Sequence, residues 1–140
     1  MGHASQIALG ISLEQTQRRV WCLDGDGACI MHMGSMATVA GHAGHRFVHV
    51  LLNNFAHESV GGQPTAAGHI DFPAVARAVG YPVVLSTASR AELEAVLAAL
   101  PENGPVFLEV KLGIGHRKDL GRPTTTPREN KDALMSFLQQ

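Results

Sequence analysis

Short, unbroken apolar runs alternate along the chain with longer mixed stretches, and the two patterns predict different elements. Val20-Trp21-Cys22-Leu23, Phe47 to Leu52, Pro82 to Leu85 and Val106 to Leu112 are rich in β-branched or aromatic residues and predict strands buried on both faces. Ala4 to Leu13 sets Ile7, Leu9, Ile11 and Leu13 among Ala4, Ala8 and Gly10, which predicts a buried helix packed closely on a neighbour. Ala28 to Gly41, rich in Met, Ala and Ile and free of Pro, predicts a second helix whose propensity Gly34 and Gly41 lower. Asp71 is placed to cap a helix through Val79 that Gly80 ends, and Ser89 to cap one through Leu100, with Glu92 at capping-box spacing. Gly104-Pro105 turns the chain into the last strand, and Thr126-Pro127 leads a short helix from Arg128 to Leu138. A helix followed by repeated strand and helix units predicts an α/β fold, a parallel central sheet with helices on both faces.

Residues 1–112 carry that pattern and form the expected α/β domain. Residues 113–140 are a Gly-, Thr-, Pro- and base-rich tail with a short helix, expected to pack on the domain or on a partner. Between Lys111 and Lys131, six basic residues face only two acidic ones, a local positive excess able to reach an anionic ligand. Over all 140 residues, 45% apolar and 16% charged with a net charge of −1, the balance excludes a disordered chain and a general polyanion binder, so nucleic acid is not the expected partner. Gly, His or charge breaks every apolar stretch well short of the roughly 18 residues a membrane-spanning helix needs. Cys22 and Cys29 cannot build a disulfide framework and no signal-peptide pattern opens the chain, so the expected compartment is the cytoplasm.

Two strand ends carry polar residues. The first strand runs into Asp24-Gly25-Asp26-Gly27 and the second into Asn53-Asn54, and in parallel sheets ligands bind at the carboxyl ends of strands. Asp26 offers a hard anionic oxygen and Asn54 a neutral amide oxygen, the ligand types suited to Mg²⁺ holding a diphosphate, while Gly25 and Gly27 let the backbone approach phosphate. By itself Gly-Asp-Gly is an ordinary turn; the pairing with Asn53-Asn54 raises it above one. The loop from Phe55 to His69 has no clear period and a length that points to function. In it His57 is a candidate to donate to an anion or relay a proton, and Glu58 a candidate for proton transfer, against a loop-stabilising hydrogen bond and a solvated carboxylate. His42, His45 and His49 cross from a helix end into a strand and read as surface histidines rather than a zinc site. His32, Met31, Met33 and Met36 read as core or subunit-interface residues. The apolar first helix and the Met-rich helix predict homo- or hetero-oligomerisation.

Gly25-Asp26-Gly27 followed at this distance by Asn53-Asn54 resembles the motif of thiamine diphosphate-dependent decarboxylases. Met1 to Ser5, Asn53 to Thr65 and Leu120 to Pro127 further resemble the phosphonopyruvate decarboxylases, with the sulfopyruvate decarboxylases, whose second subunit carries the diphosphate-binding domain, as near relatives. The resemblance implies an N-terminally shortened diphosphate-binding domain that starts at the cofactor-wedging residue, Met1. It implies thiamine diphosphate and Mg²⁺ as cofactors, with Asp26, Asn54 and the Ala56 carbonyl on the metal. Gly25, Gly27 and Ala28 are then expected at the diphosphate and His3 at the cofactor. His57 and Glu58 are the expected catalytic residues, with Ser59 and Gln63 as further contacts to substrate. It also implies a pyrimidine-binding partner domain or subunit that supplies an activating Glu. The implied reaction is decarboxylation of 3-phosphonopyruvate to phosphonoacetaldehyde, with sulfopyruvate or a non-catalytic Mg²⁺–diphosphate assembly module as alternatives.

Overall fold

A computed structural model describes all 140 residues. After helix α1 (Ala4–Glu14), strand β1 (Val20–Gly25) leads into helices α2 (Asp26–Met31) and α3 (Ser35–His42) and strand β2 (Phe47–Asn53). The long loop holds a two-residue hairpin, β3 (Ala56–His57) and β4 (Gln63–Pro64), and two single-turn 3-10 helices, Glu58–Val60 and Ala66–His69. Helix α4 (Phe72–Ala78), strand β5 (Val83–Thr87), helix α5 (Arg90–Ala98), strand β6 (Val106–Lys111) and helix α6 (Pro127–Leu138) complete the chain. The main sheet is parallel throughout, in the order β1-β2-β6-β5.

That order explains which helices lie where. The chain steps from β1 to β2 and on past β6 to β5, then returns to β6, and right-handed crossovers put the helices of forward and return steps on opposite faces. Accordingly Phe47, Leu51 and Phe107 pack with Ala8 and Leu9 of α1, Met36 and Val39 of α3, and Phe72 and Ala76 of α4. Val48, Val50, Val106, Leu108 and Val110 point the other way, onto Leu93 and Val96 of α5 and Leu100 beyond it. Both faces are therefore covered, but unequally: α5 packs on β5, and on the edge strand β1 Trp21 and Leu23 stay 43% and 63% exposed. No helix is long and apolar enough to cross a membrane.

Several expectations change in detail. Gly25-Asp26-Gly27 is not a separate turn, because β1 continues through Gly25 and α2 begins at Asp26. The Met-rich helix is two helices broken at His32–Gly34, where His32 leaves helical geometry (φ −137°, ψ 47°); the break redirects the chain so that Met36 and Val39 enter the core. Met31 and His32 are consequently exposed, and the His32 ring rests on that of His3 with centroids 4.4 Å apart. Asp71 caps α4 through Ala74 N–H, as its spacing predicts. Ser89 accepts from Glu92 N–H, but the Glu92 carboxylate takes the N–H of Ala88 instead of Ser89, so the reciprocal capping box forms only on α6, between Thr126 and Glu129.

His49 is not on the surface. It is fully buried on β2, with Nδ1 2.9 Å from the Tyr81 hydroxyl and Nε2 3.3 Å from Asp24 Oδ2, whereas His42 and His45 are exposed. Cys22 and Cys29 are buried beside this cluster, and burial, reinforced by Asp24, pushes both thiols up to about 12. A raised thiol value contributes stability that is complete below the ordinary value of 9.0 and lost as pH rises towards the folded one. At pH 8 the native chain is expected to resist iodoacetamide under conditions that label both thiols in urea, and to lose stability progressively above about pH 9. Rapid labelling of the folded chain would refute this.

Candidate functional site

Strands β1 and β2 pair with Gly25 opposite Leu52, so the residues just past both strand ends meet at the carboxyl edge of the sheet. A cavity of about 320 Å³ opens there. Gly25, Asp26, Gly27 and Ala28 line one side of it; Asn54, Ala56, His57 and Glu58 line another, and Met1 also reaches its wall. Leu52 and Leu112 add apolar surface, and Ser59 completes the rim. Of the residues expected at the site, His3 is not in the wall: its ring lies on His32 instead. Gln63 is also outside it, exposed on β4.

The turn after β2 creates this convergence. Phe55 takes a left-handed backbone (φ 61°), uncommon for a residue with a bulky side chain, and three hydrogen bonds hold it there. Asn53 Oδ1 accepts from Phe55 N–H, Asn54 Oδ1 accepts from Ala56 N–H, and the Phe55 carbonyl accepts from Thr65 N–H at 3.0 Å. The reversal carries Ala56 and His57 back over the strand end. Gly27 is required by its neighbour, since a Cβ there would run into the His57 ring. The second Asn is thus at the cavity, while the first, Asn53, is 1% exposed and donates to Glu109 Oε1 at 2.9 Å inside the core.

Asp26 is 2% exposed, and its Oδ2 accepts a hydrogen bond from the Thr65 hydroxyl. Thr65 is a site residue that sequence reasoning left unassigned, because the contact spans 39 residues and depends on the loop folding back. The donor set fits a hard cation. Asp26 Oδ1 takes no hydrogen bond from the protein, and Asn54 Oδ1, with one donor, keeps a second lone pair. The Ala56 carbonyl lies opposite Pro64, which has no N–H to give it. Three oxygens, one of them anionic, are the donor types that would hold Mg²⁺. Gly25, as N-cap, brings no side chain to the first-turn N–H groups of α2, leaving them open to an anion.

The family model described as thiamine pyrophosphate enzyme, C-terminal TPP binding domain, matches residues 1–110. The chain is similar to the phosphonopyruvate decarboxylase of Streptomyces viridochromogenes, 43% identical over 99% of this chain and 35% of that one. It is similar also to the sulfopyruvate decarboxylase subunit beta of Methanothermobacter thermautotrophicus, 40% identical over 83% of this chain and 60% of that subunit. A solved structure from Mycobacterium smegmatis, assigned to the thiamin diphosphate-dependent enzymes, shares the fold with a TM-score of 0.63 at 22% identity, over 83% of this chain and 22% of that one. The chain spans about a third of the length of the Streptomyces relatives it matches.

Proposed function

The chain belongs to the thiamine pyrophosphate enzymes, as their C-terminal cofactor-binding domain, and from that premise we propose that it is the diphosphate- and Mg²⁺-holding part of a decarboxylase acting on 3-phosphonopyruvate. The observation that carries the reading is that Asp26, Asn54 and Ala56 all line one cavity at the carboxyl edge of the sheet. In this reading Asp26, Asn54 and the Ala56 carbonyl hold the metal, and the N–H groups of Gly27 and Ala28, beside Gly25, receive the diphosphate. Met1, in the cavity wall, would support the cofactor ring. Leu52 and Leu112 keep water from the reacting end, and His57 holds or delivers a proton at the substrate.

The cofactor, when bound, supplies the electron sink that lets carbon dioxide leave. The Glu that activates it is assigned to a pyrimidine-binding partner domain or subunit. Exposed Ile7 and Leu13 on α1, with Trp21 and Leu23 on β1, supply apolar surface for such an assembly, which we place in the cytoplasm. Phosphonate is preferred over sulfonate because identity to the phosphonopyruvate enzyme is 43% over 99% of the chain, whereas a sulfopyruvate subunit that matches the whole chain is 29% identical. The fitted donor set gives no reason to prefer a non-catalytic module.

Calorimetric titration of thiamine diphosphate tests the reading, with Mg²⁺, with chelator, and with or without a pyrimidine-binding partner. Binding that requires the metal is the expected result. Metal-independent binding, or none in any mixture, would overturn it.

A further inference from the structure

A second cavity, of about 350 Å³, adjoins the first, and the two share Glu58 and Ser59 in their walls. Its other side is built from the tail, where Arg117, Lys118 and Arg122 all line it. Glu58 is the only acidic residue in that wall, and its carboxylate is already engaged. Oε1 accepts from Gly115 N–H at 2.7 Å, and Oε2 lies 3.6 Å from His116 Nδ1. Gly115 has φ 120°, a backbone region that residues with side chains rarely adopt, so the tail is pinned to the loop at a position built for it.

Beyond that clasp the cations lack partners. Lys118 and Arg122 form no ion pair, and Arg117 meets only Asp119, at 3.5 Å and largely in solvent, a contact of little energetic weight. Three cationic side chains line one cavity beside the candidate cofactor crevice, two of them with no ion pair and the third with only a solvent-exposed one. In a 3-phosphono-2-oxo acid the phosphorus is two bonds from the carbonyl carbon that reacts. A site for its oxygens must therefore touch the cofactor crevice, and this cavity does.

We propose that the cavity between Glu58–Ser59 and residues 116–122 receives the substrate's phosphonate, with Arg117, Lys118 and Arg122 selecting a doubly charged tetrahedral oxyanion and Glu58 positioning them. Arg presents a planar fork of donors that matches two oxygens of such a group, and Lys adds a compact charge. A dianion gains more from three cations than a monoanion of the same shape, so phosphonate is favoured over sulfonate. The assignment rests on the decarboxylase reading for the substrate's identity, but the oxyanion site is testable without cofactor or turnover.

Methylphosphonate, titrated into the full chain by calorimetry, is expected to bind at least tenfold more tightly than methanesulfonate. Arg117→Ala with Arg122→Ala is expected to weaken methylphosphonate by about tenfold or more, while the thermal midpoint stays put. Glu58→Ala should weaken it comparably, and Glu58→Gln, which still accepts the Gly115 N–H, should restore most of the affinity. In the assembled enzyme, the double Arg variant should lower the ratio of kcat/KM for 3-phosphonopyruvate to that for pyruvate at least tenfold. No methylphosphonate binding, equal binding by the Arg variant, or an unchanged ratio would overturn the proposal. Methylphosphonate binding without any thiamine diphosphate binding would uphold this site and sink the decarboxylase reading instead.

Discussion

Asp26→Ala is expected to weaken Mg²⁺-dependent binding of thiamine diphosphate by more than about a hundredfold while the chain without cofactor unfolds at an unchanged or slightly higher midpoint. The carboxylate is the only anionic oxygen among the three that face the cavity, so its loss leaves two neutral carbonyls, too weak a set to hold a divalent cation against water. Its contribution to the fold is small by comparison. Asp26 is buried with one hydrogen bond, from Thr65, and no cationic partner, an arrangement that costs desolvation in the absence of metal. Thr65→Val removes the group that orients Oδ2 together with the acceptor that caps the turn at Ala67 N–H, and the effect of such a partner on a metal ligand is about 10- to 100-fold. The expected order is therefore Asp26→Ala worse than Thr65→Val in cofactor affinity, with both chains folded. Calorimetry and thermal unfolding on the same samples decide it, and equal affinity of Asp26→Ala and the parent chain would remove Asp26 from the metal.

Much of this site is legible in the sequence, for a definite reason. In a parallel sheet buried on both faces, strands are unbroken apolar runs, and the polar residues just past their ends mark the carboxyl edge. Asp26 and Asn54 are such residues, and the register that sets Gly25 opposite Leu52 brings them together. Contacts made through folded-back segments are not legible. Thr65 reaches Asp26 only because Phe55 reverses the chain with a left-handed backbone, for which no local signal exists at a Phe. Glu58 reads in the sequence as a candidate for proton transfer, and its contact with the tail, 57 residues later, has no local signal. His3 and His32 illustrate a different failure: their mutual stacking follows from the break between α2 and α3, which the composition of the Met-rich stretch conceals.

His49 and Glu109 mark the other limit of the apolar-run rule. Each interrupts a strand that the pattern assigns wholly to the core, and each is buried on the face toward α3 and α4 with polar partners on neighbouring strands and, for His49, on Tyr81 before β5. Glu109 accepts from Asn53 at 2.9 Å and from Ser86 at 2.8 Å, tying β2, β6 and β5 together just below the site. The same sheet face thus carries two polar clusters, and neither is announced by periodicity because a single buried polar residue breaks no period.

His49→Leu is expected to destabilise the chain by about 3–5 kcal/mol, a large share of the roughly 5–15 kcal/mol that a domain of this size has. The reason lies in what the substitution leaves behind. A carboxylate only accepts hydrogen bonds, so Nε2 of His49 donates to Asp24, while Nδ1 is hydrogen-bonded to the Tyr81 hydroxyl, which burial keeps protonated. Leu fills the space but strands Asp24, 4% exposed, as a buried charge without a donor, and leaves the Tyr81 hydroxyl unsatisfied as well. If that is the origin of the loss, removing the stranded groups should reverse most of it: Asp24→Leu and Tyr81→Phe added to His49→Leu are expected to recover all but about 1 kcal/mol. Urea unfolding of the parent, single and triple variants makes the comparison, read from midpoints at constant slope. A cost below about 1 kcal/mol for His49→Leu would mean that the cluster does not hold β1 to β2. A triple variant no more stable than the single one would place the loss in packing around Phe47 and Phe107 rather than in the stranded carboxylate, which lies two residues before Asp26, the residue proposed to hold the metal.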